Sequence, residues 1–388
     1  MTRTLRIISA GFIVTAISFG PARMGFGLFL PTFRESFTLS TTQSGMIASL
    51  GFFAFLVALP AAAWLDERVG QRGPIMMGTI LATAGFLSVS MASTIGGLAT
   101  GVAMAGASAG LCWSPFNDAA ERTVPGQIRP TALSAVSTGT TVGVAATGTF
   151  FLSVSFGAID WRFAWAAFAL VGILAGVMTW YGVPAGRRYP NSNTFGKQIL
   201  FHRSMLPLYG AAICFGVSNA VYISFAADHV VASGGLPGLR DTAAPAVIFI
   251  GYGVCGLLGL VTGLMEAKIG LFRLLGLIFM AFASSLILVA LEPGAWTAVL
   301  VSAGLHGAAV MMISAVLSFW SLRLFPGQGS LGFTAALVVV AVSSVFGPGL
   351  AGVLADATTM TTAFLITALV PLSATILFMG HAFYPRPS

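Results

Sequence analysis

Apolar positions along this chain come in blocks of about twenty, with polar residues gathered in short groups between them. That pattern fits helices that cross a bilayer, each needing ~20 mostly apolar residues. Bounded by Pro, Gly or charge clusters, twelve blocks stand out: 7–30, 44–65, 74–93, 97–120, 131–155, 163–184, 205–227, 242–265, 271–291, 295–321, 331–354 and 359–381. The first is too long for a secretory signal, has no Ala-x-Ala site and precedes eleven more spans, so it is expected to be retained. The expected class is an all-α membrane protein.

Charge tests the count independently, because a wrong number of spans would scramble the asymmetry of Lys and Arg between loops. With a cytoplasmic N-terminus, the inside loops and tails hold Arg3, Arg6, Arg68, Arg72, Arg122, Arg129, Arg187, Arg188, Lys197, Arg203, Lys268, Arg273, Arg323 and Arg386. The outside loops hold Arg34, Arg162 and Arg240, and Arg23 alone falls within a span. Both termini are therefore expected in the cytoplasm of a bacterial-type inner membrane. Topology explains the net charge of +7 without nucleic acid. A chain that is 57% hydrophobic and 7% charged has too few charges to cover a water-soluble globule of 388 residues.

Cys112, Cys214 and Cys255 all fall in predicted spans, with no CxxC spacing or His partner for zinc, and read as small packing residues. Walker, HExxH and GxSxG signatures are missing, so no cofactor is implied and no enzyme is expected.

The two halves repeat. Phe19-Gly20-x-x-Arg23-x-x-Phe26-x-x-Phe29 aligns with Phe215-Gly216-x-x-Asn219-x-x-Tyr222-x-x-Phe225. Ala63-x-x-x-Glu67-Arg68-Val69-Gly70 aligns with Gly263-x-x-x-Ala267-Lys268-Ile269-Gly270, and Arg122-x-x-Pro125-Gly126-Gln127 with Arg323-x-x-Pro326-Gly327-Gln328. Six spans plus six follow, with an N-terminal bundle over 1–184, a polar cytoplasmic linker over 185–204 and a C-terminal bundle over 205–388.

The loop between spans two and three, Glu67-Arg68-Val69-Gly70-Gln71-Arg72, resembles the Asp-Arg-x-Gly-Arg-Arg signature of the major facilitator superfamily, with Glu for Asp and Gln for one Arg. Ala63 stands where that family prefers Gly, while Glu121, Pro125 and Arg129 look like its conserved end of helix four. The resemblance implies two pseudo-symmetric six-helix bundles, with helices one, four, seven and ten lining a central cavity. It also implies that Glu67, Arg68, Gly70, Arg72, Glu121, Arg122 and Arg129 form a cytoplasmic gate. Drug/proton antiporters of the family carry an Arg on helix four where this chain has Val102, which weakens a multidrug-exporter reading.

Inside the spans only Arg23 and Asp118 are charged away from the ends. A charge at bilayer depth costs at least ~2.5–3.5 kcal/mol on insertion scales, so such a group turns toward protein or a wet cavity. Two readings of Arg23 stand side by side: a substrate contact, or a structural group bonded to carbonyls near Pro21 or snorkelling outward. By resemblance Arg23 faces Asn219 across the cavity, with Phe26 and Tyr222 on the same helix faces. A guanidinium among aromatic rings suits a monovalent organic anion with an apolar body.

Asp118 lies about 15 Å below Arg23 along the bundle, and is a proton-coupling candidate or a paired helix-end carboxylate. His306 is the sole histidine deep in a span and a second proton or substrate candidate. Trp113 either stacks on a substrate ring or packs. The expectation is thus a monomeric secondary transporter in the lipid bilayer, moving a small, monocarboxylate-like organic anion with a proton or counter-substrate as partner. The rivals are an exporter of neutral or hydrophobic compounds and, from another class, a membrane-embedded enzyme or non-transporting assembly subunit.

Overall fold

The computed structural model describes residues 3–125, 127–185, 203–324 and 329–383, without the side chains of residues 3, 114, 117, 118, 120–122, 130, 204, 329–331 and 382–383. The described residues form fourteen α-helices: α1 (Arg3–Phe19), α2 (Pro21–Phe37), α3 (Thr41–Val69), α4 (Arg72–Ser90), α5 (Ile95–Thr123), α6 (Arg129–Ser155), α7 (Trp161–Gly182), α8 (Leu206–Ala232), α9 (Ala244–Gly256), α10 (Thr262–Ile269), α11 (Leu271–Leu291), α12 (Trp296–Leu324), α13 (Gly329–Ala357) and α14 (Met360–Phe383). Helices α1 and α2 stack into one span, and a 3-10 turn over Leu257–Val261 joins α9 to α10 in another. Among the described residues this makes twelve segments long and apolar enough to cross a membrane. The linker expected over 185–204 lies mostly outside the described residues.

Several spans overrun the apolar blocks, and the caps explain why. Helix α3 begins at Ser40, whose hydroxyl accepts from the Gln43 backbone N–H at 3.1 Å while Gln43 Oε1 accepts from Ser40 N–H at 3.0 Å, a capping box. Asp160 caps α7 by accepting from Arg162 N–H at 2.7 Å. These polar ends reach beyond the apolar stretch because they satisfy orphan helix N–H groups, whatever the lipid depth.

The repeat is visible in the backbone. Gly70 and Gly270 end α3 and α10 with φ of 78° and 82°, and each donates its N–H back to the fourth residue before it, Asp66 and Glu266. A left-handed φ at these positions favours glycine. Within the N-terminal half, Phe29, Phe33, Phe86, Phe151, Trp165 and Phe168 interlock as one aromatic core; Trp165 and Phe29 meet edge-on at 5.4 Å.

Twelve crossings return the chain to the face it left, so both ends of the described chain share one face. At the opposite face the halves are tied together. Arg34 on α2 pairs with Asp228 on α8 at 2.6 Å. The Thr42 backbone N–H and hydroxyl both donate to Asp356 at the end of α13, at 2.8 and 2.6 Å. Ser155 and Thr242 exchange side-chain to carbonyl bonds at 2.8 and 3.2 Å.

Candidate functional site

The continuous first span is interrupted where Gly20 leaves helical geometry (φ −75°, ψ −99°) and Pro21 starts α2 at a position that needs no N–H bond. Arg23 therefore sits in the first turn of α2. Its guanidinium carbon lies 4.3 Å from the centre of the Phe55 ring, 5.1 Å from Phe52 and 5.9 Å from Phe19. Cation–π attraction of this kind holds the head group in place without neutralising it. Among the described residues, no hydrogen bond or ion pair engages this guanidinium: it is neither locked onto carbonyls near Pro21 nor turned toward lipid.

Arg23 instead faces a cavity of about 20 Å³ between the halves. Phe26, Phe52 and Phe55 give it aromatic walls, Gly51 and Gly106 give it room, and Ile223 and Ser224 on α8 close it from the C-terminal half. That volume holds about one or two waters, so an organic ion enters only when the halves part. Val102 lines the same cavity, and Arg23 is the charged residue in that lining.

The α2–α8 contact fixes which residues are level. A Cβ on Gly27 would meet the Ile223 carbonyl oxygen, so the two backbones touch here. One turn back along each helix stand Arg23 and Asn219. Asn219 is buried and its Oδ1 accepts a hydrogen bond from the Tyr252 hydroxyl at 3.3 Å. Tyr252, on α9, is close enough to interact electrostatically with Arg23.

The remaining candidates spread outward. Phe26 stacks on Phe33 at 5.9 Å as well as lining the cavity. Trp113 meets Phe19 edge-on at 5.0 Å and so stands behind the ring that flanks Arg23. Tyr222 and His306 lie inside the C-terminal bundle, with their rings stacked at 3.8 Å. His306 Nδ1 is 2.9 Å from Ser285 Oγ on α11, and the Tyr222 hydroxyl is 3.0 Å from Ser302 Oγ.

Toward the terminal face, Glu67 is exposed and Arg68 lies over the Trp64 ring at 4.0 Å. Arg72 donates to the Val183 carbonyl at 2.8 Å and to the Trp180 carbonyl, while Arg129 donates to the Val124 carbonyl at 3.5 Å. No described ion pair joins these four to one another. The side chains of Asp118, Glu121 and Arg122 lie outside the described residues.

Sequence reasoning missed Phe52, Phe55 and Tyr252, and it took Glu67 where the fold buries Asp66. The repeat held the signal. The register that aligns Gly70 with Gly270 also aligns Phe52 with Tyr252 and Asp66 with Glu266, and Glu266 receives Arg323 in a forked pair at 2.7 and 2.9 Å.

The described residues thus form twelve candidate spans in two pseudo-symmetric bundles with a cavity between them. The profile of the Major Facilitator Superfamily matches residues 11–312, and the chain belongs to that superfamily. It is 26% identical over 241 residues to the uncharacterized MFS-type transporter YtbD of Bacillus subtilis (strain 168), covering 60% of this chain and 58% of that protein. The match thus spans little more than half the length of that relative. Over 108 residues it is 31% identical to monocarboxylate transporter 11 of Homo sapiens, covering 28% of this chain and 22% of that one.

Solved structures share the fold. A bacterial homologue of the human lysosomal transporter Spinster, in an inward-facing and unoccupied conformation, aligns with a TM-score of 0.73 at 17% identity, over 99% of this chain and 98% of that one. The nucleoside transporter NupG aligns at 0.75 and 14% identity over the whole of both chains. The protein is accordingly a multi-pass membrane protein of the Major Facilitator Superfamily, with the fold these structures share.

Proposed function

We propose that this transporter moves a small monovalent organic anion, of monocarboxylate type, across the cytoplasmic membrane by alternating access, with both termini on the cytoplasmic side. One observation carries the reading: a partly buried guanidinium set over Phe55 with no hydrogen-bond or ion-pair partner among the described residues. Five fixed N–H donors in a site of low dielectric are matched by a carboxylate, which takes two of them side by side. A single charge in the cavity lining favours one negative charge over two, and the Phe26, Phe52 and Phe55 rings suit an apolar or aromatic body. The partial likeness to a monocarboxylate transporter is in keeping with this class. Asp118 and His306 are the proposed sites of proton coupling, and the working unit is proposed to be a monomer.

Purified protein titrated with acetate, lactate, benzoate and phenylacetate tests the site. A ligand present at 100 times its Kd stabilises the folded protein by about 2.7 kcal/mol, so at least one of these anions should raise the Tm of the wild type. Arg23→Ala should remove that rise. An exporter of neutral compounds would instead respond to benzamide as strongly as to benzoate, with Arg23→Ala having no effect on either. In proteoliposomes, collapse of a pH gradient should stop net uptake if protons drive it, whereas unlabelled anion on the far side should speed uptake if exchange does.

A further inference from the structure

Resting on that reading of Arg23, we propose that Tyr252 is the C-terminal half's own contact to the anion, so that one carboxylate bridges Arg23 on α2 and the Tyr252 hydroxyl on α9.

Position comes first. Gly27 against Ile223 sets α2 and α8 in register, which places Arg23 level with Asn219, the residue to which Tyr252 is bonded. The Tyr252 side chain also lies within electrostatic reach of Arg23. Tyr252 is almost wholly buried, and its place in the backbone is tight on both sides. A Cβ on neighbouring Gly253 would lie 2.6 Å from the Thr141 carbonyl oxygen and the Ala145 nitrogen of α6. A Cβ on Gly307 of α12 would strike the Tyr252 carbonyl oxygen. The ring therefore stands where α9 is pressed onto the N-terminal half, and any change in the angle between halves changes its distance to Arg23.

Chemistry comes second. The repeat sets Phe52 and Tyr252 in equivalent places: one half offers a bare ring to the Arg23 cation, and the other offers a ring with a hydroxyl. A phenol O–H can turn about its C–O bond and has one proton to give. In the closed geometry that proton goes to Asn219 Oδ1, over a long 3.3 Å bond. When an anion sits on Arg23, the O–H turns to the carboxylate, and the Asn219 amide, turned over, donates to the phenol oxygen in its place. Every donor keeps an acceptor, and the anion becomes the link between the bundles. Asn219 is then a positioning residue that holds Tyr252 ready, and the contact breaks when the halves part.

The experiment is Tyr252→Phe in the intact protein, read by binding of the anion that stabilises the wild type among acetate, lactate, benzoate and phenylacetate. Removing one hydrogen bond to a charged ligand should weaken binding roughly 10- to 100-fold, while the ligand-free Tm stays near that of the wild type because the ring remains. If Arg23→Ala abolishes binding and Tyr252→Phe leaves it unchanged, the bridge is refuted while the anion site stands. If Arg23→Ala changes binding of none of the four anions, the site itself is wrong and the bridge falls with it. A lower ligand-free Tm with unchanged affinity in Tyr252→Phe assigns the hydroxyl to folding alone and also overturns the proposal.

Discussion

At the scale of single residues, the informative fact is a cation whose neighbours are rings. Phe55 lies closest to the Arg23 head group, so Phe55→Leu should keep the wall apolar and remove most of the cation–π attraction, worth about 0.5–2 kcal/mol. Anion affinity measured by titration should fall about 2- to 30-fold, and an unchanged affinity would show that Phe55 only packs. Arg23 was legible in the sequence because one charge in a long apolar run has few places to go. Phe52 and Phe55 were not, since 31 phenylalanines look alike until a fold selects two of them. Asp66 was hidden for a different reason. The family motif points to Glu67, but helix α3 turns about 100° per residue and buries Ala62 and Asp66, four apart, leaving Ala63 and Glu67 outside.

At the scale of elements, backbone contact between helices governs what can move. Gly27 permits α2 and α8 to touch at the level of Ile223, where any side chain would overlap a carbonyl of the other half. Gly27→Val should therefore hold the two helices apart, and the cavity that Ile223 and Ser224 close should open toward the face opposite the termini. A thiol-reactive probe in a Ser224→Cys variant measures this: labelling should be slow with Gly27 present and markedly faster with Val. Equal rates would mean that α2 and α8 do not close the site. Spans were legible because burying about twenty apolar residues in lipid leaves a length that can be counted. Their ends were less so, since Ser40 and Asp160 extend helices with hydrogen bonds that hydrophobicity does not report.

At the scale of the whole molecule, the charge bias that sets topology also shows where the halves are tied. Three basic residues stand at the face opposite the termini, and each is engaged. Arg162 donates to the Ala92 carbonyl at 3.2 Å and covers Trp161, while Arg240 lies over Phe156. Among the described residues, Arg34 is the one that crosses between halves as an ion pair, to Asp228. The pair is unequal: the Arg34 side chain is 33% exposed and Asp228 only 7%. Solvent screens the attraction on the Arg side, so the link is worth about 1 kcal/mol, between an exposed salt bridge and a buried charged hydrogen bond. Asp228→Asn keeps the shape and removes the charge, and should shift the ratio of open to closed molecules about fivefold toward open. Spin labels on Ser36→Cys and Ser233→Cys, exposed positions on the two halves at this face, would report the shift as a larger long-distance population. Asp356→Asn should do less, because an amide oxygen can still accept from Thr42, whereas Arg34 loses its only described counter-charge. Were the distance distribution the same with Asp or Asn at 228, the ion pair would be a passive consequence of closure, and the helix contacts at Gly27 would have to hold that face shut by themselves.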